Sequence, residues 1–480
     1  MKKFFRFIGV LIVFCFLFVI FGTRWQNQKE EENRELISTK NIENQSEEGA
    51  QETQGSDELD SKKLKSDSNE FNFDKSKLSK SDSNGLNSEE QNDATLSEKS
   101  ANSTRSEASK SKASSKKEKS LTEKEPEDKY ATILSFGDTL VHSQVYKQAY
   151  DSTTDTYDFF PIFTEITKYF QDADITIGNA ESPMAGKDRG YSGYPTFNAP
   201  EHLAVDLKEL GVDILTTANN HCLDKGYSGL ENTLNNLDSA GIAHTGTSRS
   251  VEEQNTILHR EVNGIDICFL SFTYGTNGIS IPSDKTYCVN IIDKQEIEKR
   301  ILQAKSEYPN SAIVVSMHWG IEYQTTPSSQ QDDLANFLIA NGADVVLGCH
   351  PHVLQPMKMV TATDENGVER QGLVIYSQGN FFSSQTKPNT RNTALFQITL
   401  KSDGSTGKIS VDNAKYVPLY LYDKRTTQNR YELLDLNQII QDYESGSDKW
   451  SKDMYYLAVT EKDRCVSTIG PEIDNQATNQ

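Results

Sequence analysis

GADVVLGCHPHVLQP, residues 342–356, is an apolar, strand-like run that ends in two histidines separated by a single proline. The apolar run predicts a buried strand of a layered sheet. Because His350 and His352 flank Pro351, whose ring restricts the backbone, both imidazoles are held near the end of that strand. We interpret the pair as ligands that face different sides of one metal-binding crevice.

Strand-like and helix-like patterns alternate along the chain from residue 129 to about residue 441. The strand-like runs lie at 131–138, 173–180, 212–220, 265–272, 311–319, 343–350 and 373–380. The helix-like stretches lie at 161–170, 201–210, 228–241, 293–307 and 328–342. This alternation predicts an α/β domain with a largely buried sheet. Two later strand-like runs, at 393–400 and 407–422, have no helix between them, so we expect a mixed sheet.

Polar residues able to bind a metal follow nearly every strand-like run, in the sequences GD, GNAE, ANNH, MHW, GCHPH and SQGN. In α/β sheets, side chains at the carboxyl ends of the strands converge on one crevice. A lone Asp or His at such a position is more often a turn cap or a hydrogen-bonding residue. Six runs that end alike favour a metal site, and histidine, carboxylate and amide ligands together suit Zn, Mn or Fe. The predicted ligands are Asp138, Glu181, Asn220, His318, His350 and His352.

The segment ANNHCLDKG, residues 218–226, supplies the predicted catalytic pair. If the Asn220 carbonyl binds a metal, the adjacent His221 is free for proton transfer. Asp224 would orient His221 by accepting a hydrogen bond from its ring, and the alternative is that Asp224 caps the following helix. His142 would reach the site if its own segment were helical.

Six further residues are predicted to contact the substrate. Lys187 and Arg189, in the loop at 186–200, suit a carboxylate or phosphate group, and the alternative is an ordinary polar loop. The others stand after His318, after the His-Pro-His run or at the end of the run at 373–380, and they would line the pocket unless they only pack inside the domain. They are Glu322, Tyr323, Gln355 and Asn380.

The first 24 residues predict a cytoplasmic tip and a membrane anchor. The apolar run at 4–22 is about as long as a bilayer requires. Lys2, Lys3 and Arg6 are positive charges near its start, which predicts a cytoplasmic N-terminus. No A-x-A cleavage pattern follows, so we interpret the run as a retained signal-anchor, with a cleaved signal peptide as the alternative. The C-terminal domain would then lie outside the cell on a single membrane span.

Composition separates the rest of the chain into a linker, a domain and a tail. Residues 25–128 are rich in Ser, Glu, Lys, Asp and Asn, which predicts a disordered linker. Residues 442–480 are polar and are expected to fray. Residues 129–480 contain 28 basic and 45 acidic residues, a net charge of −17, which makes nucleic acid a poor partner. The five cysteines beyond residue 24 show no paired spacing, so we expect small buried residues rather than a disulfide framework.

Six motifs in this order resemble the bacterial capsule-synthesis CapA family, the poly-γ-glutamate biosynthesis group, over residues 131–385. They are FGDTLVH, GNAESP, TANNHCLDKG, VVSMHWGIEY, GADVVLGCHPHVLQP and YSQGNFFSSQ. That family is in turn similar to calcineurin-like metallophosphoesterases. The resemblance implies a four-layer α/β/β/α metallophosphoesterase-like sandwich at 129–441 and a centre of two divalent ions.

The resemblance also implies a role for each residue. Asp138 and His352 would hold one ion; Asn220, His318 and His350 would hold the other, with Glu181 as the bridge. His221 would protonate the leaving group. The chain departs from the phosphatase pattern at two places, because Leu140 replaces the histidine of D-x-H and GNAES replaces GDxxD.

Three functions are consistent with these features. The first is a metal-dependent hydrolase or transferase acting on a phosphoester or on an amide-linked anionic polymer such as poly-γ-glutamate. The second is a polymer-binding accessory subunit of a synthase or export complex, without catalysis. The third is an envelope scaffold with structural metals, which is disfavoured because structural sites are usually closed by four ligands.

Overall fold

The computed structural model describes residues 126–426 and 428–474. The predicted membrane anchor at 4–22 and the predicted linker as far as residue 125 lie outside these described residues. Within them, no helix combines the length and the apolar character needed to cross a bilayer.

The strands and helices alternate through most of the described chain, as the sequence pattern predicts. The strands are β1 (Lys129–Thr139), β2 (Tyr150–Asp151), β3 (Thr156–Tyr157), β4 (Ile175–Asn179), β5 (Ile214–Thr216), β6 (Ala243–Thr245), β7 (Leu258–Val262), β8 (Ile265–Thr273), β9 (Ala312–His318), β10 (Val345–Cys349), β11 (Met357–Thr363), β12 (Glu369–Ile375), β13 (Asn380–Phe382), β14 (Asn392–Ser402), β15 (Ile409–Asp423), β16 (Tyr431–Asp435) and β17 (Ile473–Asp474). The helices are α1 (Ser143–Ala149), α2 (Thr167–Gln171), α3 (His202–Leu210), α4 (Gly226–Ala240), α5 (Val251–Asn255), α6 (Lys294–Glu307), α7 (Ser329–Asn341), α8 (Leu436–Glu444) and α9 (Lys452–Ile469). Short 3₁₀ turns lie at Phe160–Ile162, Thr164–Ile166, Lys187–Arg189 and Thr286–Cys288.

Two large sheets form the centre of the domain. The first has the strand order β16-β15-β14-β1-β4-β5-β6, with β13 beside β1 and β17 beside β15. The second has the order β11-β12-β10-β9-β8-β7. In each sheet, parallel strands at the centre continue into antiparallel neighbours, such as β14 beside β1 and β11 beside β12. Both sheets are therefore mixed.

The apolar side chains divide into three buried layers. Neighbouring residues of a strand point to opposite faces, so Ile133 packs between the two sheets whereas Leu134 packs against α3 and α4. In the second sheet, Val314 faces the first sheet and Val315 faces α6 and α7. The order is thus helices, sheet, sheet, helices, which confirms the predicted four-layer α/β/β/α arrangement.

The prediction that the chain frays from Asp442 onward is wrong for the described residues. Helix α9 begins after Ser451, whose side chain accepts a hydrogen bond from a backbone N–H in the first turn. Ala458, Cys465 and Ile469 are fully buried in the layer between the sheets. They are seven and four residues apart, which places them on one face of the helix. Three apolar residues in a mostly polar segment are a weak sequence signal, so the helix was not predicted.

The cysteines of the described chain behave as buried apolar residues. All five are unpaired and buried: Cys222, Cys268, Cys288, Cys349 and Cys465. Burial raises the pKa of the Cys222 thiol to about 12, so the group stays protonated. The prediction of buried residues rather than a disulfide framework is confirmed.

Candidate metal centre

The six predicted metal ligands lie together at one end of the two sheets. Three stand at the ends of β1, β9 and β10 or directly after them, and the others follow β4, β5 and the proline of the His-Pro-His turn. Each is at most 5% exposed: Asp138, Glu181, Asn220, His318, His350 and His352. The convergence follows from the parallel register, which sets Cys349 beside His318 and Asp138 beside Asn179.

Two groups of ligand atoms share the Glu181 carboxylate. Atoms of Glu181, His318 and His350 all lie within 4.8 Å of one another, and so do atoms of Asp138, Glu181 and His352. Glu181 Oε1 is 3.6 Å from His318 Nε2, and Glu181 Oε2 is 3.6 Å from His352 Nδ1. One carboxylate therefore presents one oxygen to each group.

The donor atoms fit a divalent cation. Both oxygens of Glu181 and Nδ1 of His350 are buried without a hydrogen-bond partner. Such atoms cost free energy in a folded protein, so each one requires an explanation. A cation bound in each group would satisfy them, and a set of carboxylates and imidazoles suits Zn, Mn or Fe. The residues therefore fit a divalent metal centre.

The His-Pro-His turn sends its two histidines to different groups. His350 has φ +98° and His352 has φ +59°, both in the left-handed region that residues other than glycine rarely adopt. The backbone N–H of His350 donates to Asp138 Oδ2 at 3.1 Å, which ties the turn to β1. Such conformations cost roughly 1–3 kcal/mol each and cluster at functional sites. The strain here orients the two imidazoles.

Burial and mutual charge set the protonation of the centre. Burial raises the pKa of Glu181 well above its usual range, and the negative charge of Asp138 adds to this. Burial also raises the pKa of Asp138, but the hydrogen bond and charge of His352, together with His318 and the Asn179 amide, outweigh burial and bring the net value to about 2. Burial lowers the pKa of His318 well below its usual range and that of His350 to about 4. Both imidazoles are thus neutral at pH 7, as metal ligands must be.

His352 differs from the other two histidines. Burial lowers the pKa of His352, but the charges of Glu181 and Asp138 outweigh burial and raise the net value to about 9. Its Nδ1 lies 3.4 Å from Asp138 Oδ2 and 3.1 Å from Asn380 Oδ1. The two carboxylates therefore keep His352 protonated in the metal-free protein, and binding of an ion in the second group would displace that proton.

Asn220 lies beside the first group. Its Oδ1 is 2.8 Å from His318 Nε2, and its Nδ2 donates to Asn277 Oδ1 at 3.1 Å. Its carbonyl oxygen therefore lies beside the His318 imidazole, at the edge of the first group.

His221 and Asp224 form a pair next to the two groups. His221 Nδ1 is 2.8 Å from Asp224 Oδ2, which also accepts the Phe197 backbone N–H at 2.7 Å. The Phe197 ring packs edge-on against His221 at 4.7 Å. Helix α4 begins after Lys225 and has no side-chain cap, so Asp224 orients His221 and does not cap the helix.

Two of the predicted substrate contacts lie at the mouth of the centre. The Tyr323 ring is 6.0 Å from the His352 ring, measured between centroids. Glu322 is exposed, and its charge acts on both Tyr323 and Glu181. Both residues could touch a molecule bound at the centre.

Two other predicted contacts are internal. Gln355 is fully buried. Its side-chain oxygen accepts a hydrogen bond from Gln331 Nε2 at 2.8 Å, and its side-chain nitrogen donates to the Gln324 carbonyl at 2.7 Å. Asn380 is 2% exposed and positions His352. The polar atoms of both side chains are used inside the protein, so substrate contact by either one stays a prediction.

The predicted basic contacts lie elsewhere. Lys187 and Arg189 stand on an exposed 3₁₀ turn, where Lys187 pairs with Asp155 at 3.0 Å. In the described residues, no hydrogen bond or ion pair joins either side chain to the six predicted ligands. His142 precedes α1, and its ring packs on Phe197 at 5.2 Å.

Three residues at the centre were not predicted from the sequence. Asn179 Nδ2 donates to Asp138 Oδ1 at 2.7 Å, and Asn277 Nδ2 lies 3.5 Å from His221 Nε2. The Tyr274 ring lies 4.7 Å from the His350 ring. Tyr274 and Asn277 follow β8, so the same argument from polar strand ends could have found them.

Comparison with solved structures aligns the chain with the calcineurin-like phosphoesterase YfkN from Bacillus subtilis. It is 15% identical, and the alignment covers 71% of this chain and 99% of that one with a TM-score of 0.38. A 5'-nucleotidase from Candida albicans SC5314 is 10% identical over 70% of this chain and 57% of its own, with a TM-score of 0.34. Scores this low carry no weight for function.

Sequence comparison is more specific. The chain is 29% identical over 290 residues to "Capsule biosynthesis protein CapA" of Bacillus anthracis, covering 59% of this chain and 67% of that one. It is 30% identical over 257 residues to "PGA biosynthesis protein CapA" of Bacillus subtilis (strain 168), covering 52% and 63%. It thus spans about two thirds of these relatives. The model of the family described as bacterial capsule synthesis protein PGA_cap matches residues 132–385, just over half of the 480 residues, and includes all six predicted ligands. The chain belongs to the bacterial capsule synthesis protein PGA_cap family.

Proposed function

We propose that this protein is a metal-dependent hydrolase or transferase that acts on an anionic polymer of the cell envelope, or on a phosphoester used in making it. The observation that carries the proposal is the Glu181 carboxylate, whose two unpartnered oxygens face two separate groups of ligands. A shared carboxylate between two groups is the arrangement expected of a two-ion hydrolytic site.

The ligands would divide as the two groups do. His318, His350 and Asn220 would hold one ion, Asp138 and His352 the other, and Glu181 both. When bound, the ions would supply positive charge and Lewis acidity to an anionic substrate. This supply of charge is consistent with the acidic composition of residues 129–480, which carry a net charge of −17.

His221 is the residue proposed to transfer a proton. His221 Nδ1 is engaged with Asp224 Oδ2, so Nε2 is the atom that would give a proton to the leaving group. The edge-on Phe197 ring restricts rotation of the imidazole. A proton on His221 Nε2 would therefore be held in a fixed position near the ligand groups, where a leaving group could take it up.

The proposed substrate polymer and the proposed position of the protein both concern the cell envelope. The names of the two relatives refer to capsule and PGA biosynthesis, which supports an envelope polymer such as poly-γ-glutamate. We propose an extracellular domain held by a single span at 4–22, working beside synthase subunits.

The test uses the full-length protein, treated with a chelator and then loaded separately with Mn, Fe or Zn. Turnover of a phosphodiester and of poly-γ-glutamate is measured in each state. We expect turnover of at least one substrate that disappears on chelation and returns with metal. If loaded protein binds poly-γ-glutamate but turns over neither substrate, the proposal fails in favour of a polymer-binding accessory subunit.

A further inference from the structure

Lys387 is a cation placed beside the metal centre. Its Nζ lies 3.7 Å from the centroid of the Tyr323 ring, and that ring is 6.0 Å from the His352 ring. Lys387 is exposed, and it forms no ion pair with another residue of the described chain. Its charge is therefore available to a bound molecule.

The backbone of Tyr323, whose ring contacts Lys387, is fixed by a hydrogen bond. Its φ is +66°, a conformation uncommon outside glycine, and its backbone N–H donates to the Pro351 carbonyl at 2.8 Å. The bond attaches Tyr323 directly to the His-Pro-His turn. The Tyr323 hydroxyl accepts a hydrogen bond from Gln385 at 3.4 Å.

The turn that carries Lys387 is connected to the same histidine. Gln385 Oε1 accepts a hydrogen bond from Asn380 Nδ2 at 2.9 Å, and Asn380 Oδ1 lies 3.1 Å from His352 Nδ1. The Thr390 hydroxyl donates to the Lys387 carbonyl at 2.8 Å and closes the turn. Two routes, one through Tyr323 and one through Asn380, thus fix the lysine relative to the second ligand group.

Lys387 adds a positive charge at the mouth, on one side of the metal centre. The metal centre would take the reacting group of the substrate, and an exposed ammonium at its mouth suits a second anionic group. Lys187 and Arg189, the basic residues predicted from the sequence, form no hydrogen bond or ion pair with the ligands in the part of the chain that the structure describes. We propose that Lys387, supported on the Tyr323 ring, binds a second anionic group of the substrate. This inference rests on the proposed function and adds a substrate-binding residue to it.

Equilibrium binding of a short γ-linked glutamate oligomer to the full-length protein tests the inference. Lys387→Gln should weaken binding about fivefold and reduce its dependence on salt, because one screened charge contact at the rim is lost. Lys387→Arg keeps the charge and should restore most of the affinity.

Lys452→Gln is the matched control. Lys452 is also exposed and lies over a tyrosine ring, that of Tyr456, at 5.5 Å, but on α9. Its replacement should leave binding unchanged. Equal affinity of wild type and Lys387→Gln, equal weakening by both glutamine variants, or no binding by wild type would each overturn the inference. Lysine-dependent binding without turnover would instead reject the proposed function and leave the anion subsite standing.

Discussion

Glu181→Gln is expected to abolish binding of both metal ions while stabilising the metal-free protein. Changes to residues that only support ligands weaken metal binding about 10–100-fold, so loss of a shared ligand should exceed that. In the chelated protein, by contrast, the substitution should raise the free energy of unfolding. Burial is the largest influence on the Glu181 carboxyl pKa and neither oxygen has a partner, so a neutral amide should be easier to bury, by about 1–3 kcal/mol.

Urea denaturation with chelator and with metal measures both effects. Glu322→Gln is the control, because Glu322 is an exposed carboxylate at the mouth of the same centre. It should change neither metal binding nor the free energy of unfolding appreciably. A Glu181→Gln variant that binds metal as wild type does, or that unfolds more easily than wild type in chelator, would contradict the account.

His221→Ala is expected to lower kcat by about 10²–10⁴-fold, the range of general acid catalysis, without loss of metal. His221 belongs to neither ligand group, and its ring is oriented by Asp224. The loss should be smaller for a substrate with a good leaving group, since such a group departs without a proton. Steady-state kinetics on phosphodiesters of graded leaving-group pKa, with metal analysis of the same samples, provides the measurement.

The chain contains a matched control for this variant. His142 packs on the same Phe197 ring, at 5.2 Å against 4.7 Å for His221, but its Nδ1 lies near the Leu140 carbonyl and not near a carboxylate. His142→Ala should keep kcat within a few-fold of wild type. An equal loss for all leaving groups in His221→Ala, or loss of metal, would show that His221 acts structurally.

The ligands could be predicted because parallel strands fix where their ends lie. Asp138, His318 and His350 stand at or directly after strand ends, so the order of strands is enough to bring them together. Glu181 stands in GNAES, which departs from the phosphatase pattern, and it supplies the carboxylate that the two groups share. Asn179 of the same motif supports Asp138.

The lysine at the mouth could not be predicted, because loops do not follow a strand register. Lys187 and Lys387 are both exposed lysines in polar loops, and their positions depend on contacts with distant residues: Asp155 for one, and the Tyr323 ring for the other. Gln355 follows the His-Pro-His turn by three residues but points into the protein, where Gln331 bonds to it. Side-chain direction in such segments is set by packing between elements.

Metal stoichiometry of the full-length protein and its single histidine variants tests the central claim most directly. After equilibrium dialysis and elemental analysis, we expect two equivalents of metal in wild type. His350→Ala and His352→Ala should each retain one equivalent, because the two histidines serve different groups that share Glu181. Wild-type protein without metal, or histidine variants with the same metal content as wild type, would contradict the account.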